Sequence, residues 1–269
     1  MFTKQSEEKL ISWIKNNDLD SLGDYLLSGT IHGKPGVPVA ELGRIERIVA
    51  KKFSPKDQYL LATKLLKRPE YTARNIGTHL IVFGWPEHKD IEGYIKQAAN
   101  DDEWIVREYA AGTFAALLEK DFAHFSKLYL QWVKSESVNV KRAIALAVKY
   151  ESKSADLKKW KIYFKLIDPL MEEDDEYIRK NLGPFAIGDG LLSRYPDQIF
   201  DSCKKWIKSK DKNVRWNTAM IFTAAAARKF ASQGRPMLQC LIDDKEPFVA
   251  RAAKKGLQNL EKGRVKASR

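Results

Sequence analysis

The feature that most constrains the fold of this chain is a residue pair that recurs at a nearly constant spacing. In each copy a β-branched or small residue precedes a basic one, usually just after an acidic turn. The copies are Ala73-Arg74, Val106-Arg107, Val140-Lys141, Ile178-Arg179 and Val214-Arg215, with a looser one at Val249-Ala250-Arg251. Their first members are 33, 34, 38, 36 and 35 residues apart. Such a period is typical of stacked helical repeats, in which equivalent residues form a row along one surface.

Helical patterning fills most of the chain, and no run of strand alternation stands out. The breaker-rich residues 28–38 predict an ordered loop. The sequence predicts helices over Val39–Phe53 and Lys56–Leu66, followed by helix pairs at Asp90–Ala99 and Trp104–Leu118, Phe122–Lys134 and Val138–Tyr150, Leu157–Met171 and Tyr177–Ser193, Pro196–Lys208 and Val214–Lys229, and Pro236–Ile242 and Phe248–Leu260. These features resemble HEAT repeats. We therefore expect an all-α fold, a right-handed solenoid of HEAT-like repeats with a concave basic groove. It would form one domain over residues 1–261, followed by a basic, disordered tail over 262–269.

The charge balance favours an anionic partner. Lys and Arg number 47 against 35 Asp and Glu, which gives a net charge of +12. Nucleic acid is the simplest such partner, although the excess could also serve solubility alone. The two cysteines, Cys203 and Cys240, predict equivalent buried helix positions and no disulfide framework, and the four histidines show no metal-ligand spacing. With no apolar signal region or membrane span in the sequence, we expect a cytoplasmic protein. A closed array of repeats with a charged surface is compatible with a monomer, which we also expect.

The basic residues of the repeat have two interpretations. In HEAT repeats the acid of one repeat commonly pairs with the basic residue of the next, which would make Arg107, Lys141, Arg179 and Arg215 structural. The alternative is that they contact DNA, together with Arg251. The residues after the basic ones form a more varied row that can face the concave side: Asn75, Glu108, Arg142, Lys180 and Trp216, with Ala250 of the looser copy only loosely equivalent.

One point in this row could carry chemistry. Trp104 and Glu108 are four residues apart and share a helix face. Glu108 and Arg142 occupy equivalent positions in neighbouring repeats, and stacked helices lie about 8–10 Å apart. An aromatic ring, a carboxylate and a guanidinium can therefore converge. The structural alternative is a Glu108–Arg142 salt bridge that Trp104 covers.

Several stretches resemble the HEAT-like alkylpurine DNA glycosylases of the AlkC/AlkD superfamily. GVPVAELGRI, DDEWIVREYAA, SVNVKRAIAL and DDEYIRKNLG are similar to AlkD-like members, and residues 193–216 look more like AlkC-type members. The resemblance implies that duplex DNA lies in the concave groove and that cationic purines alkylated at N3 or N7 are excised without a metal or cofactor. In those enzymes a carboxylate stabilises the cationic sugar.

The resemblance also assigns individual residues. Trp104 matches a groove tryptophan, Glu108 stands where the family has its catalytic aspartate, and Arg142 matches a groove arginine. The other groove tryptophan would fall at Pro184, which we expect to kink its helix. Asp189, between Gly188 and Gly190, is a second candidate carboxylate, because AlkC-type members carry an aspartate in this region.

Three functions therefore stay open. The first is a monofunctional alkylpurine DNA glycosylase that uses Glu108 or Asp189, with DNA contacts from the basic residues named above, from Lys180 and from Trp216. The second is a DNA-binding protein of the same superfamily without excision activity. The third is a HEAT-type scaffold for protein interactions.

Overall fold

The computed structural model describes residues 3–31 and 33–262, and helices dominate this part of the chain. The chain divides into two compact units, Met1–Ala116 and Leu117–Arg269. The single domain predicted over residues 1–261 stays a prediction, and residues 263–269 of the predicted tail lie outside the described residues.

The first unit consists of helices and one short hairpin. Its helices are α1 (Lys4–Lys15), α2 (Leu19–Leu26), α3 (Val39–Lys52), α4 (Pro55–Leu65), α5 (Tyr71–Leu80), a 3-10 turn (Ile81–Gly84), α6 (Ile91–Ala99) and α7 (Trp104–Lys120), the last of which continues into the second unit. Strands β1 (Thr30–Ile31) and β2 (Lys34–Pro35) pair antiparallel within the segment expected to be a loop. Two residues per strand are too few to show an alternating pattern, so the sequence did not reveal this hairpin.

The second unit is a series of helix pairs. They are α8 (Phe122–Trp132) with α9 (Val138–Glu151), α10 (Leu157–Ile167) with α11 (Glu176–Asn181), α13 (Pro196–Trp206) with α14 (Lys212–Ile221), and α15 (Ala231–Gln239) with α16 (Pro247–Lys262). α11 runs on through a π-helix (Leu182–Leu191) into a short α12 (Leu192–Arg194). The second helices pack in sequence order, α9 on the π-helix, the π-helix on α14, and α14 on α16. The predicted all-α fold of successive helix pairs is confirmed, whereas the groove stays a prediction.

The turns that precede the second helices are polar for a local reason. Ser137 accepts a hydrogen bond from the backbone N–H of Val140 at the start of α9, and Asp211 accepts from those of Asn213 and Val214 at the start of α14. Asp175 does the same for α11. An oxygen at this position satisfies backbone donors that the helix itself leaves unpaired, and an acidic group also opposes the helix dipole.

The cysteines differ from the expectation. Cys203 is buried in α13, where burial raises the pKa of its thiol, but Cys240 is exposed. Cys240 directly follows α15, which begins at Ala231 and not at the predicted Pro236. Pro236 therefore lies inside this helix. The sequence-based prediction was wrong about where the helix begins and about the burial of Cys240.

Candidate nucleic-acid interface

In the first unit, the first turns of α7 carry the aromatic residue and the carboxylate singled out from the sequence. Trp104 is 44% exposed, although it is a large apolar residue, and Glu108 is half-buried one turn later. Arg107, between them, donates hydrogen bonds to the backbone carbonyls of Asp101 and Asp102 at 2.6 and 2.9 Å. The Arg107 side chain therefore braces the turn that precedes α7.

The same unit contains a pocket of about 540 Å³ between α3, α5 and α7. Most of its wall is apolar, with Ala50, Leu80, Val82, Phe83 and Ala116 among the lining residues. Its polar groups come from Glu46, Arg47, His79 and Thr113. Gly112 of α7 also lines it and lies one helical turn beyond Glu108, so the pocket continues the face that begins with Trp104.

A titratable cluster joins the three helices beside this pocket. His79 Nδ1 lies 2.9 Å from Glu46 Oε1, and the His79 ring lies 4.5 Å from that of Tyr109, centroid to centroid. Burial, with a further contribution from the negative charge of Glu46, raises the pKa of Tyr109 to about 12. Tyr109 therefore stays neutral at physiological pH.

Ion pairs link several successive repeats, but in the reverse of the expected order: the basic residue of one repeat pairs with an acid of the next. In the first unit Arg74 binds both carboxylate oxygens of Asp101, at 2.7 and 2.9 Å. In the second unit Lys141 pairs with Glu173 at 2.7 Å, and Arg215 binds both oxygens of Asp244, at 2.6 and 3.0 Å. These bonds hold neighbouring repeats together.

The other basic candidates of the second unit have different environments. Arg142 is buried, and its guanidinium lies 4.6 Å from the ring centroid of Tyr177. Arg179 donates to Asp174 and Asn213 and lies 5.0 Å from the ring centroid of the half-buried Trp216. Lys180 and Arg251 are exposed, and Lys180 pairs only with Glu176 on its own helix in the contacts described.

Asp189 lies on the π-helix and is exposed. Its neighbourhood includes Lys149, whose ammonium lies 2.8 Å from the ring centroid of Phe185. Burial lowers the pKa of Lys149 to about 8, the charge of Asp189 opposes this shift, and Arg194 adds to it. Two glycines flank Asp189 because the helix packs tightly there. A Cβ on Gly188 would lie 2.5 Å from the Ile221 carbonyl oxygen, and one on Gly190 would lie 2.8 Å from Lys149 Cγ.

Sequence reasoning missed Glu46, Arg47, His79 and Lys149. The first three come together only when α3 and α5 pack, and each alone is an ordinary residue of a helix face. The one available signal was a pair of glycines inside α3 and α7, Gly43 and Gly112, where a helix would favour alanine.

The described residues contain no group of three or more His, Cys, Asp or Glu side chains that could hold a metal ion. Within residues 3–31 and 33–262, no helix combines the length and the apolar character needed to cross a membrane.

Comparisons with known proteins place the chain in a family. Two solved structures, both crystal structures of engineered proteins from a structural genomics consortium, match this chain. The first is 15% identical with a TM-score of 0.32, and the match covers 83% of this chain and 97% of the other. The second is 14% identical with a TM-score of 0.36, and the match covers 95% of this chain and 71% of the other.

No curated protein matches in sequence. The model of a family described as DNA alkylation repair enzyme matches residues 34–187, more than half of the chain. The chain therefore belongs to the DNA alkylation repair enzyme family.

Proposed function

We propose that this protein binds duplex DNA and excises cationic purines alkylated at N3 or N7 by hydrolysing the N-glycosidic bond. The observation that carries the proposal is the arrangement on α7. An exposed tryptophan and a half-buried carboxylate share one face there, within the segment that matches the DNA repair family. Asp189 lies just beyond that segment, which favours Glu108 over Asp189 as the catalytic carboxylate.

Hydrolysis of this glycosidic bond requires little more than an anion positioned close to the sugar. When the glycosidic bond breaks, its electron pair moves to the alkylated base, which leaves as a neutral molecule. The sugar carries the positive charge at C1′, and the Glu108 carboxylate stabilises it electrostatically. Water then adds to C1′ and loses a proton, which leaves an abasic site. We propose that no metal or cofactor takes part.

The exposure of the basic residues suggests which of them contact phosphates and which stabilise the repeats. Lys180 and Arg251 are exposed and suited to phosphate contacts, while Trp104 offers an apolar surface to the DNA backbone. Arg107, Lys141, Arg179 and Arg215 bind acidic or backbone groups of the protein, so we assign them mainly to holding the repeats in register. Arg142 is buried and Trp216 is half-buried, so we assign neither of them a phosphate contact.

Release of methylated bases from duplex DNA tests the proposal. We expect Glu108→Gln to slow the release of 3-methyladenine or 7-methylguanine by about 10²-fold or more, since the variant removes the charge and keeps the shape. Asp189→Asn is the matched control and should act like the wild type. If Asp189→Asn alone abolishes release, the carboxylate is assigned wrongly.

A second candidate is a DNA-binding protein of the same family without excision activity. Two features favour it: a glutamate stands where the resemblance places a catalytic aspartate, and Pro184 stands where it places a second groove tryptophan. This candidate predicts salt-sensitive DNA binding without base release. The HEAT-type scaffold predicts neither. In all three cases we expect a cytoplasmic protein that is a monomer. Measuring its size in solution checks the oligomeric state.

A further inference from the structure

Positive charge is concentrated on α10, the first helix of one pair in the second unit. Its 11 residues include four lysines and no acidic residue. Lys158, Lys161 and Lys165 are exposed and follow one another at spacings of three and four residues, so they share one face of the helix. In the part of the chain that the structure describes, no ion pair involves these three ammonium groups, whereas Lys159 pairs with Glu151. We call the three exposed side chains the lysine row.

The helix itself does not account for the lysine row. Like charges three or four residues apart repel one another and disfavour a helix. Lys158 also lies in the first turn of α10, where the helix dipole favours acidic side chains and disfavours cations. An anion against this face relieves both effects. The lysine row therefore indicates an anionic partner.

A row of apolar side chains adjoins the lysine row. Leu157 is 62% exposed, more than any other large apolar residue that the structure describes. Lys161 follows Leu157 by four residues, so the two side chains are neighbours on the helix surface. Trp160 and Phe164 continue from Leu157 along the helix, both are half-buried, and their ring centroids lie 6.0 Å apart. We call Leu157, Trp160 and Phe164 the apolar row, and a partner of this face meets charge and apolar surface side by side.

Single-stranded nucleic acid has the chemistry that matches both rows. Its phosphates pair with ammonium groups, and its unpaired bases offer flat faces that pack on aromatic and apolar side chains, a combination typical of single-strand binding. Duplex DNA matches the lysine row alone, because its bases are stacked inside the helix. A membrane surface needs a broad apolar helix face to insert, and that face of α10 is packed into the protein through Tyr163, Leu166 and Ile167.

We propose that the lysine row and the apolar row of α10 together form a binding surface for single-stranded nucleic acid. The lysine row holds successive phosphates, and the apolar row packs against the bases between them. This activity goes beyond the proposed excision of bases from duplex DNA and does not depend on it. Single-stranded DNA and RNA share the chemistry, so the test uses both.

The test is fluorescence anisotropy of the full chain with a labelled oligothymidylate of about 12 nucleotides, a length within the usual range for such sites. The α10 variant combines Lys158→Ala, Lys161→Ala and Lys165→Ala. The logarithm of a single-strand binding constant falls with the logarithm of salt concentration by about 0.7 for each phosphate contact, so the variant's slope should be shallower by about 2. Its affinity should be at least about tenfold lower than that of the wild type at about 0.1 M salt.

The control variant removes the same charge from the first helix of the next pair. It combines Lys204→Ala, Lys205→Ala and Lys208→Ala, three exposed lysines in or just after α13. α13 also has the exposed acids Asp197 and Asp201, so it lacks the uniform charge of α10. We expect this variant to keep the wild-type slope and affinity. Circular dichroism should show that both variants keep the wild-type helix content.

Three further ligands make the result decisive. Oligouridylate of the same length should also depend on the lysine row if RNA is bound, and the tighter of the two strands identifies the natural partner. A duplex of the same length should bind the α10 variant as it binds the wild type. Vesicles of phosphatidylserine and phosphatidylcholine should not bind.

Several results would overturn the proposal. They are no single-strand binding by the wild type, equal slopes in the wild type and the α10 variant, an equal loss in the control variant, duplex binding weakened as much as single-strand binding, and binding of vesicles in place of single strands. Base release from methylated duplex DNA is measured separately and should be unchanged in the α10 variant. Single-strand binding without base release would reject the proposed function and leave this surface standing.

Discussion

At the scale of single residues, the Arg215–Asp244 pair shows how a basic residue of the repeat can stabilise the fold. The two side chains are only 8% and 7% exposed, and two hydrogen bonds join them. Arg215 also donates to the backbone carbonyls of Ser209 and Lys210. Each charge is thus compensated by the other, and removal of one leaves its partner buried without a counter-charge.

We therefore expect Arg215→Ala to lower the free energy of unfolding by about 3–5 kcal/mol. Lys204→Ala, which breaks an exposed pair with Asp201, should lower it by no more than about 1 kcal/mol. Urea denaturation measures both. The pair holds the pKa of Asp244 below its ordinary 3.8, so its stabilisation should persist above that pH and fade as the pH drops further. Equal losses in the two variants would show that Arg215 is not structural.

The sequence predicted the ladder but not its partners. Spacing placed an acidic residue in each turn, and Asp101 does pair with Arg74. Yet Arg215 pairs with Asp244, the second of two adjacent acids, and Arg179 reaches Asn213, because Asp211 caps α14. Adjacent residues of a turn point in different directions, and this direction depends on how each helix begins. A repeat period cannot resolve it.

At the scale of an element, the segment from Glu176 to Arg194 differs most from expectation. The sequence predicted one long helix with a kink at Pro184. The structure has α11, the π-helix and α12 in its place. Proline lacks the N–H that an α-helix needs at this position, and the wider turns of the π-helix accommodate the missing hydrogen bond. The sequence shows where the helix is interrupted, but tertiary packing decides whether the interruption is a kink or a π-helix.

The π-helix is held in place by close backbone contact with α14. A Cβ on Gly188 would lie 2.5 Å from the Ile221 carbonyl oxygen and 2.7 Å from Ala224 Cβ, and backbone cannot easily move aside. We expect Gly188→Ala to destabilise the protein by about 1–3 kcal/mol, as overpacking does elsewhere.

Gly93→Ala is its control and should stabilise the protein by about 0.4–1 kcal/mol, since that helix position is open. Thermal unfolding followed by circular dichroism measures the two side by side. If Gly188→Ala is as stable as the wild type, the glycine must serve something other than packing, such as the approach of DNA to Asp189.

At the scale of the whole molecule, the net charge of +12 gives the chain a general attraction for phosphates, but it does not show where they bind. The structure separates basic side chains that are committed to the protein from those that are exposed. Arg215 belongs to the first group, and Lys180 and Arg251 belong to the second. Sequence alone could not separate them, since Arg215 and Arg251 belong to the same repeat and Lys180 directly follows another copy of it.

This separation predicts how DNA affinity should depend on salt. A protein that neutralises phosphates releases counterions, so the logarithm of its binding constant falls linearly with the logarithm of salt concentration, by about 0.9 for each phosphate contact on duplex DNA. Lys180→Ala and Arg251→Ala should each weaken binding and make this slope shallower by about 0.9, whatever the DNA sequence. Fluorescence anisotropy with a labelled duplex at several salt concentrations measures the slope.

Lys204→Ala is the appropriate control, because Lys204 is similarly exposed but lies on α13, the first helix of its pair. Its slope should equal that of the wild type, because only the second helices carry the row of repeated basic residues. A change of slope as large as for Lys180→Ala would mean that phosphates bind over the whole charged surface. A slope unaffected by any of the three substitutions would place the DNA elsewhere, and the first unit, with Trp104 and Arg47, would be the next surface to test.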